Sequence, residues 1–149
     1  MSGLLLYIVL QLFSFLAAGF ALVKGGVGER WAASVVVANL LIGTASVALT
    51  GHNVEMIRLA NDGLAAMALL AITLRYGSFW LGGAMLLYAA EFTVHSFYIV
   101  TGRAIDLPYI IISEIAWNGV IWSLILGTVF AWRRRIRAVR AAAAEAPAA

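Results

Sequence analysis

Cysteine is absent from the 149 residues, and charged residues make up only 11% of them. The first absence removes disulfides, iron–sulfur clusters and thiolate zinc sites. The second removes the soluble globular class, whose domains carry roughly 25% charged residues; too few polar side chains are available to cover a water-facing surface. Intrinsic disorder is excluded for most of the chain by the opposite excess, 64% hydrophobic residues and a mean hydropathy of +0.98, because disorder needs low hydrophobicity and high charge. Enzyme signatures are missing as well. No serine nucleophile comes with a base and an orienting acid, the His-Glu-x-x-His pattern of zinc hydrolases does not occur, and Gly25-Gly26-Val27-Gly28 follows no strand and so is no phosphate loop. The chain reads as non-enzymatic.

What is present is apolar sequence in runs of membrane-spanning length, about 20 residues each. Five runs are expected to span: 4–23, 31–50, 57–74, 79–100 and 109–132, together one all-α transmembrane domain over 1–140. The alanine-rich tail, 141–149, is expected to fray. The third run is the weakest, with Asn61 and Asp62 in its first turns. The first has no basic residue ahead of it and is longer than a signal-peptide core, so it reads as a span. Lysine and arginine placement sets the orientation. With five spans and a cytoplasmic C-terminus, Lys24, Arg30, Arg75 and the run Arg133, Arg134, Arg135, Arg137 and Arg140 fall inside, leaving Arg58 and Arg103 outside, eight against two. Four spans, with the third run not crossing, give seven against three, so five with an outside N-terminus is preferred. The basic excess is local to the end of the last run; it points to anionic lipid headgroups and not to nucleic acid. Trp31, Trp80 and Trp132 fit an interfacial aromatic belt.

Small and polar residues recur at helical spacing in three runs: Tyr7, Gln11, Ser14 and Ala18; Asn39, Gly43, Ser46 and Thr50; Gly119, Ser123 and Gly127. Helix packing is the preferred reading of these stripes, a polar cavity lining the alternative. Ionisable residues inside spans say more, because an acid at that depth needs a partner, water or a proton. Glu91 is near the middle of the fourth run, with Tyr88, His95 and Tyr98 on the same face. Asp62, His95 and Glu114 each lie about five residues from the outer end of their runs, which at about 1.5 Å per residue puts them at one depth. Trp117 and Asn118 lie on the Glu114 face. An acid–histidine cluster in the outer half of the bundle would suit a cation or a proton relay. Bland pairings compete: Arg58 with Asp62 and Glu91 with His95, each at i,i+4, and hydration of Glu114. Glu91 and His95 are also weak candidates for a metal, and His52 with His95 for a haem. No cofactor is required.

The second half, about Asp62 to Arg135, resembles a group of small multi-spanning inner-membrane proteins of alphaproteobacteria. The resemblance rests on Asp62 opening an Ala/Leu-rich span, the Arg75-Tyr76-Gly77-Ser78-Phe79-Trp80 turn, His95 late in the next span, and Trp122-Ser123 with Gly127-Thr128 before the basic tail. It implies a bacterial inner-membrane location and favours Asp62 and His95 as site residues, with no known activity. Small four-span drug exporters are a poor match, since their first span carries a glutamate where this chain has Gln11. The expected function is an accessory or self-associating membrane component, acting as a homo-oligomer or within a larger complex. The alternative is a proton- or cation-linked transporter or ligand-binding protein built on Asp62, Glu91, His95 and Glu114, with Tyr88, Tyr98 and Asn118 beside them.

Overall fold

The computed structural model describes residues 2–50 and 54–145. They form five helices and no strand: α1 (Ser2–Lys24), α2 (Val27–Thr50), α3 (Val54–Tyr76), α4 (Phe79–Thr101) and α5 (Leu107–Glu145). Helices α3, α4 and α5 are long and apolar enough to cross a membrane, and α1 is apolar over Ile8–Lys24. A 23-residue helix is about 35 Å long, against a hydrocarbon core of about 30 Å. In α2, Glu29 and Arg30 precede the apolar run and Asn39 interrupts it.

Glycines stand at the helix breaks. Gly77, between α3 and α4, and Gly102, at the end of α4, hold φ of 59° and 61°, a left-handed conformation that disfavours any residue with a Cβ. The Gly102 and Arg103 amides donate to the carbonyls of Ile99 and Tyr98, closing α4. The short connections force neighbouring helices to run antiparallel. Each helix packs on its neighbour in sequence, α1 closes the ring against α5, and α2 also reaches α4 and α5. The α1–α2 and α3–α4 connections lie at one end, called here the basic end because the arginine run is there; the α4–α5 loop lies at the other.

Small residues decide how close the helices come. Ala17, Ala18 and Ala21 on α1 and Ala32, Ala33 and Val36 on α2 belong to the buried core. On α5 the Gly119-Ser123-Gly127 stripe packs on α4 as its spacing predicts: a Cβ at Gly119 would sit 2.7 Å from Leu87 Cδ1, and one at Gly127 3.2 Å from Trp80 Cβ. The α2 stripe is mixed, since Asn39 and Ser46 are buried but nothing lies within 4 Å of a Cβ at Gly43. On α1, Ser14 and Ala18 are buried, and Gln11 reaches Thr44 Oγ1 at 3.4 Å. The side chains of Tyr7 and Thr50 and the whole of His52 lie outside the described residues. Large apolar side chains such as Leu16, Leu74, Phe79 and Val100 face outward, as they do in helices bathed by lipid.

The tail differs from expectation. α5 runs unbroken through the arginines to Glu145, past the expected end of the span at residue 132 and into the first residues of the alanine-rich tail. Alanine and arginine are strong helix formers, and neither glycine nor proline intervenes before Pro147. Arg135 anchors this extension to α1, donating to the Lys24 carbonyl and, at 3.1 Å, to that of Gly25. A guanidinium there satisfies the last carbonyls of α1 and complements the negative end of its dipole.

Candidate functional site

Two adjacent polar residues on α3 begin the site. Asn61 and Asp62 are both buried, which in an apolar bundle demands partners. Asn39 on α2 donates from Nδ2 to Asp62 Oδ1 at 3.2 Å, and Asn61 Nδ2 donates to the Asn39 carbonyl at 3.0 Å. The reciprocal bonds lock α2 to α3. The second carboxylate oxygen, Oδ2, is 3.0 Å from His95 Nδ1 on α4, and His95 Nε2 is 2.6 Å from the Tyr109 hydroxyl on α5. Four helices are thus joined through one carboxylate and one imidazole.

The imidazole tautomer follows from the charge on Asp62. An ionised Asp62 can only accept, so Nδ1 carries the proton, Nε2 is the acceptor, and the Tyr109 hydroxyl donates to it. A proton arriving at Nε2 would reverse the Tyr109 bond and turn the His95–Asp62 contact into an ion pair. Asp62, His95 and Tyr109 therefore form a hydrogen-bonded chain able to shift a proton without moving a helix.

The loop between α4 and α5 holds Tyr109 in place. Asp106 caps α5, accepting the Tyr109 amide at 3.2 Å, and takes Arg103 Nη2 at 2.6 Å and the Tyr98 hydroxyl. The Tyr98 ring packs edge-on against Tyr109 with centroids 4.9 Å apart. The Tyr98 hydroxyl, then the Tyr109 amide and Arg103, hold the Asp106 carboxyl below the usual aspartate range. A depressed carboxyl contributes stability that is complete above the unfolded value of about 3.9 and is lost as pH falls through the lower folded value. The loop should therefore keep its tyrosine environment from neutrality to about pH 4 and lose it below that. Near-UV circular dichroism of the tyrosines should show this acid transition, and Asp106→Asn should remove it.

A cavity of about 310 Å³ opens beside this chain. Asp62, Glu91, His95 and Glu114 line it, so the structure brings together the three residues expected at one depth and Glu91 from nearer the middle of its run. Arg58, Trp117 and Tyr109 complete its polar and aromatic wall. Glu91 Oε2 is buried and has no hydrogen-bond partner among the described residues. An acid oxygen in that position calls for a proton, a cation or water. Glu91 is within electrostatic reach of Asp62, His95 and Glu114.

Several expected contacts are replaced. The i,i+4 pairs do not form: Asp62 is taken by His95 and Asn39 instead of Arg58, and both His95 nitrogens are engaged, leaving none for Glu91. For the same reason Glu91 and His95 present no ready metal pair, and among the described residues no three His, Asp or Glu side chains converge as a metal site. Tyr98 braces the loop and does not line the cavity. Tyr88 is fully buried edge-on to Trp117, 6.3 Å between centroids, with its hydroxyl unpartnered. Asn118 turns back on its own helix, bonding the Glu114 carbonyl at 2.8 Å and its carboxylate at 3.4 Å. Tyr109 was not anticipated as a site residue; it lies one turn before Ser113 and two before Trp117, on the α5 face that lines the cavity. Asn39 reads from the sequence as packing, but it holds Asp62. No family model, curated protein or solved structure matches the chain.

Proposed function

We propose that this chain is a five-span bacterial inner-membrane protein, N-terminus outside and C-terminus cytoplasmic, whose outer-half cavity binds a small cation in exchange for protons. One observation carries the reading: the Asp62–His95–Tyr109 hydrogen-bonded chain borders a cavity in which Glu91 has an unpartnered, buried carboxyl oxygen. Three acids against Arg58 leave the cavity wall net negative when His95 is neutral, so a cation is favoured over an anion. The excess of basic residues at the opposite end supports the orientation, and the resemblance to alphaproteobacterial membrane proteins supports the location.

The test uses the purified chain in liposomes loaded with a pH-sensitive dye. Outward gradients of sodium, potassium or methylammonium are imposed in turn. At least one gradient should drive proton movement, and His95→Gln should abolish it with the helical content unchanged. An accessory or self-associating component is the competing reading. It requires that no gradient moves protons, and that native mass spectrometry of gently extracted protein shows larger proteins co-eluting in fixed ratio or a homo-oligomer without small-cation dependence.

A further inference from the structure

A second cavity, about 650 Å³, lies at the basic end, far from the acid–histidine site, between the start of α2, the α3–α4 connection and α5. Arg134, Arg135 and Arg137 line one wall, and Tyr76, Ser78 and Trp80 another. Arg135 is spent on the carbonyls of Lys24 and Gly25. Arg134 and Arg137 have neither an ion pair nor a hydrogen bond among the described residues. The one acid in the lining, Glu29, sits in the first turn of α2 and forms no ion pair with these arginines. The cavity thus presents two guanidiniums with no ion-pair partner among the described residues, against a single carboxylate. Ser78, whose side chain makes no capping bond, adds a hydroxyl.

The wall on the membrane side is apolar. Trp80 stacks on Phe130 at 5.1 Å with an interplanar angle of 8°, and Phe79 next to it is 85% exposed. Because α3, α4 and α5 are long enough to cross a bilayer, this end of the bundle lies at a headgroup level, with the aromatic flank just inside it. We infer that the cavity is a specific site for the phosphate of an anionic phospholipid, held by Arg134 and Arg137, with the acyl chains along Phe79 and Phe130. Guanidiniums match phosphate oxygens in pairs, and basic pockets between spans suit anionic headgroups. A free phosphate would share the arginine chemistry but gain nothing from the aromatic flank. This site is independent of the proton-linked reading and differs from diffuse attraction to the tail, since Arg133 and Arg140 lie outside it.

The experiment is a native mass spectrometry titration of the full chain in detergent with phosphatidylglycerol, against phosphatidylcholine. The wild type should retain phosphatidylglycerol as one tightly held lipid per chain. The double variant Arg134→Ala/Arg137→Ala should weaken it about tenfold or more, while Arg133→Ala/Arg140→Ala, which removes the same charge, should change it no more than about twofold. Phe79→Ala should weaken the lipid without altering binding of inorganic phosphate. Equal effects of the two arginine pairs would overturn the site in favour of diffuse charge. Displacement of the lipid by millimolar inorganic phosphate would overturn the lipid and leave a soluble phosphate ligand.

Discussion

Asp62→Ala is expected to destabilise the bundle by about 3 kcal/mol or more, the largest single loss from any substitution outside the packed apolar core. The carboxylate accepts from Asn39 and from His95, and its side chain is 12% exposed. Alanine would leave the Asn39 amide and the His95 Nδ1–H without acceptors in an apolar interior, where each orphaned donor costs about 1–3 kcal/mol. α3 would lose its hydrogen-bonded links to α2 through Asn39 and to α4, keeping only the Asn61–Asn39 bond. Asp62→Asn separates structure from chemistry. Its amide oxygen can accept from His95 and its amide group can meet a turned Asn39, so most of the stability should return. The negative charge that stabilises a protonated His95 is gone, so proton exchange should still fail. Unfolding of the three proteins in the same detergent, with proton uptake measured in parallel, reads both effects. Equal stability of Asp62→Ala and the wild type would show that the network does not form.

The helical architecture was legible because composition leaves a chain this apolar few alternatives, and glycines stand where the structure breaks. The start of the fourth helix agrees with expectation at Phe79, and the α5 glycine stripe meets α4 as its period of four requires. The site was legible in part. Burial of charge in an apolar run is costly wherever it occurs, so Asp62, Glu91, His95 and Glu114 stand out without any knowledge of partners. Which groups pair is a different matter. Sequence spacing reveals only neighbours on one helix, so it offered Arg58 to Asp62 and Glu91 to His95. The structure replaces both with bonds between helices, from Asn39, His95 and Tyr109, whose sequence separations from their partners range from 14 to 33 residues. Asn39 looked like one more packing residue because a buried amide and a site amide have the same spacing. α5 outlasts its expected span for a simpler reason: an apolar run marks only the stretch suited to hydrocarbon, while alanine and arginine let the helix continue beyond it.

Glu91→Gln is expected to have the opposite profile to Asp62→Ala: stability kept or raised by about 1 kcal/mol, with proton-linked cation movement lost at least tenfold. Glu91 Oε2 has no hydrogen-bond partner among the described residues, so none of their hydrogen bonds is broken when glutamine, nearly identical in shape, replaces it. Removing the capacity for charge also removes the cost of keeping a carboxylate in a partly dry cavity beside Asp62 and Glu114. A residue present only to glue helices cannot behave this way, since its loss must expose an unsatisfied group somewhere. Glu114→Gln provides the comparison. Glu114 is exposed, and Asn118 bonds mainly to its backbone carbonyl, so its stability change should stay within about 0.5 kcal/mol. If Glu91→Gln lowers stability and leaves cation exchange intact, Glu91 is structural and the proton-linked reading fails at its central residue. If stability holds while exchange is lost, the unpartnered oxygen is where the proton and the cation compete, because nothing else in the protein would have changed.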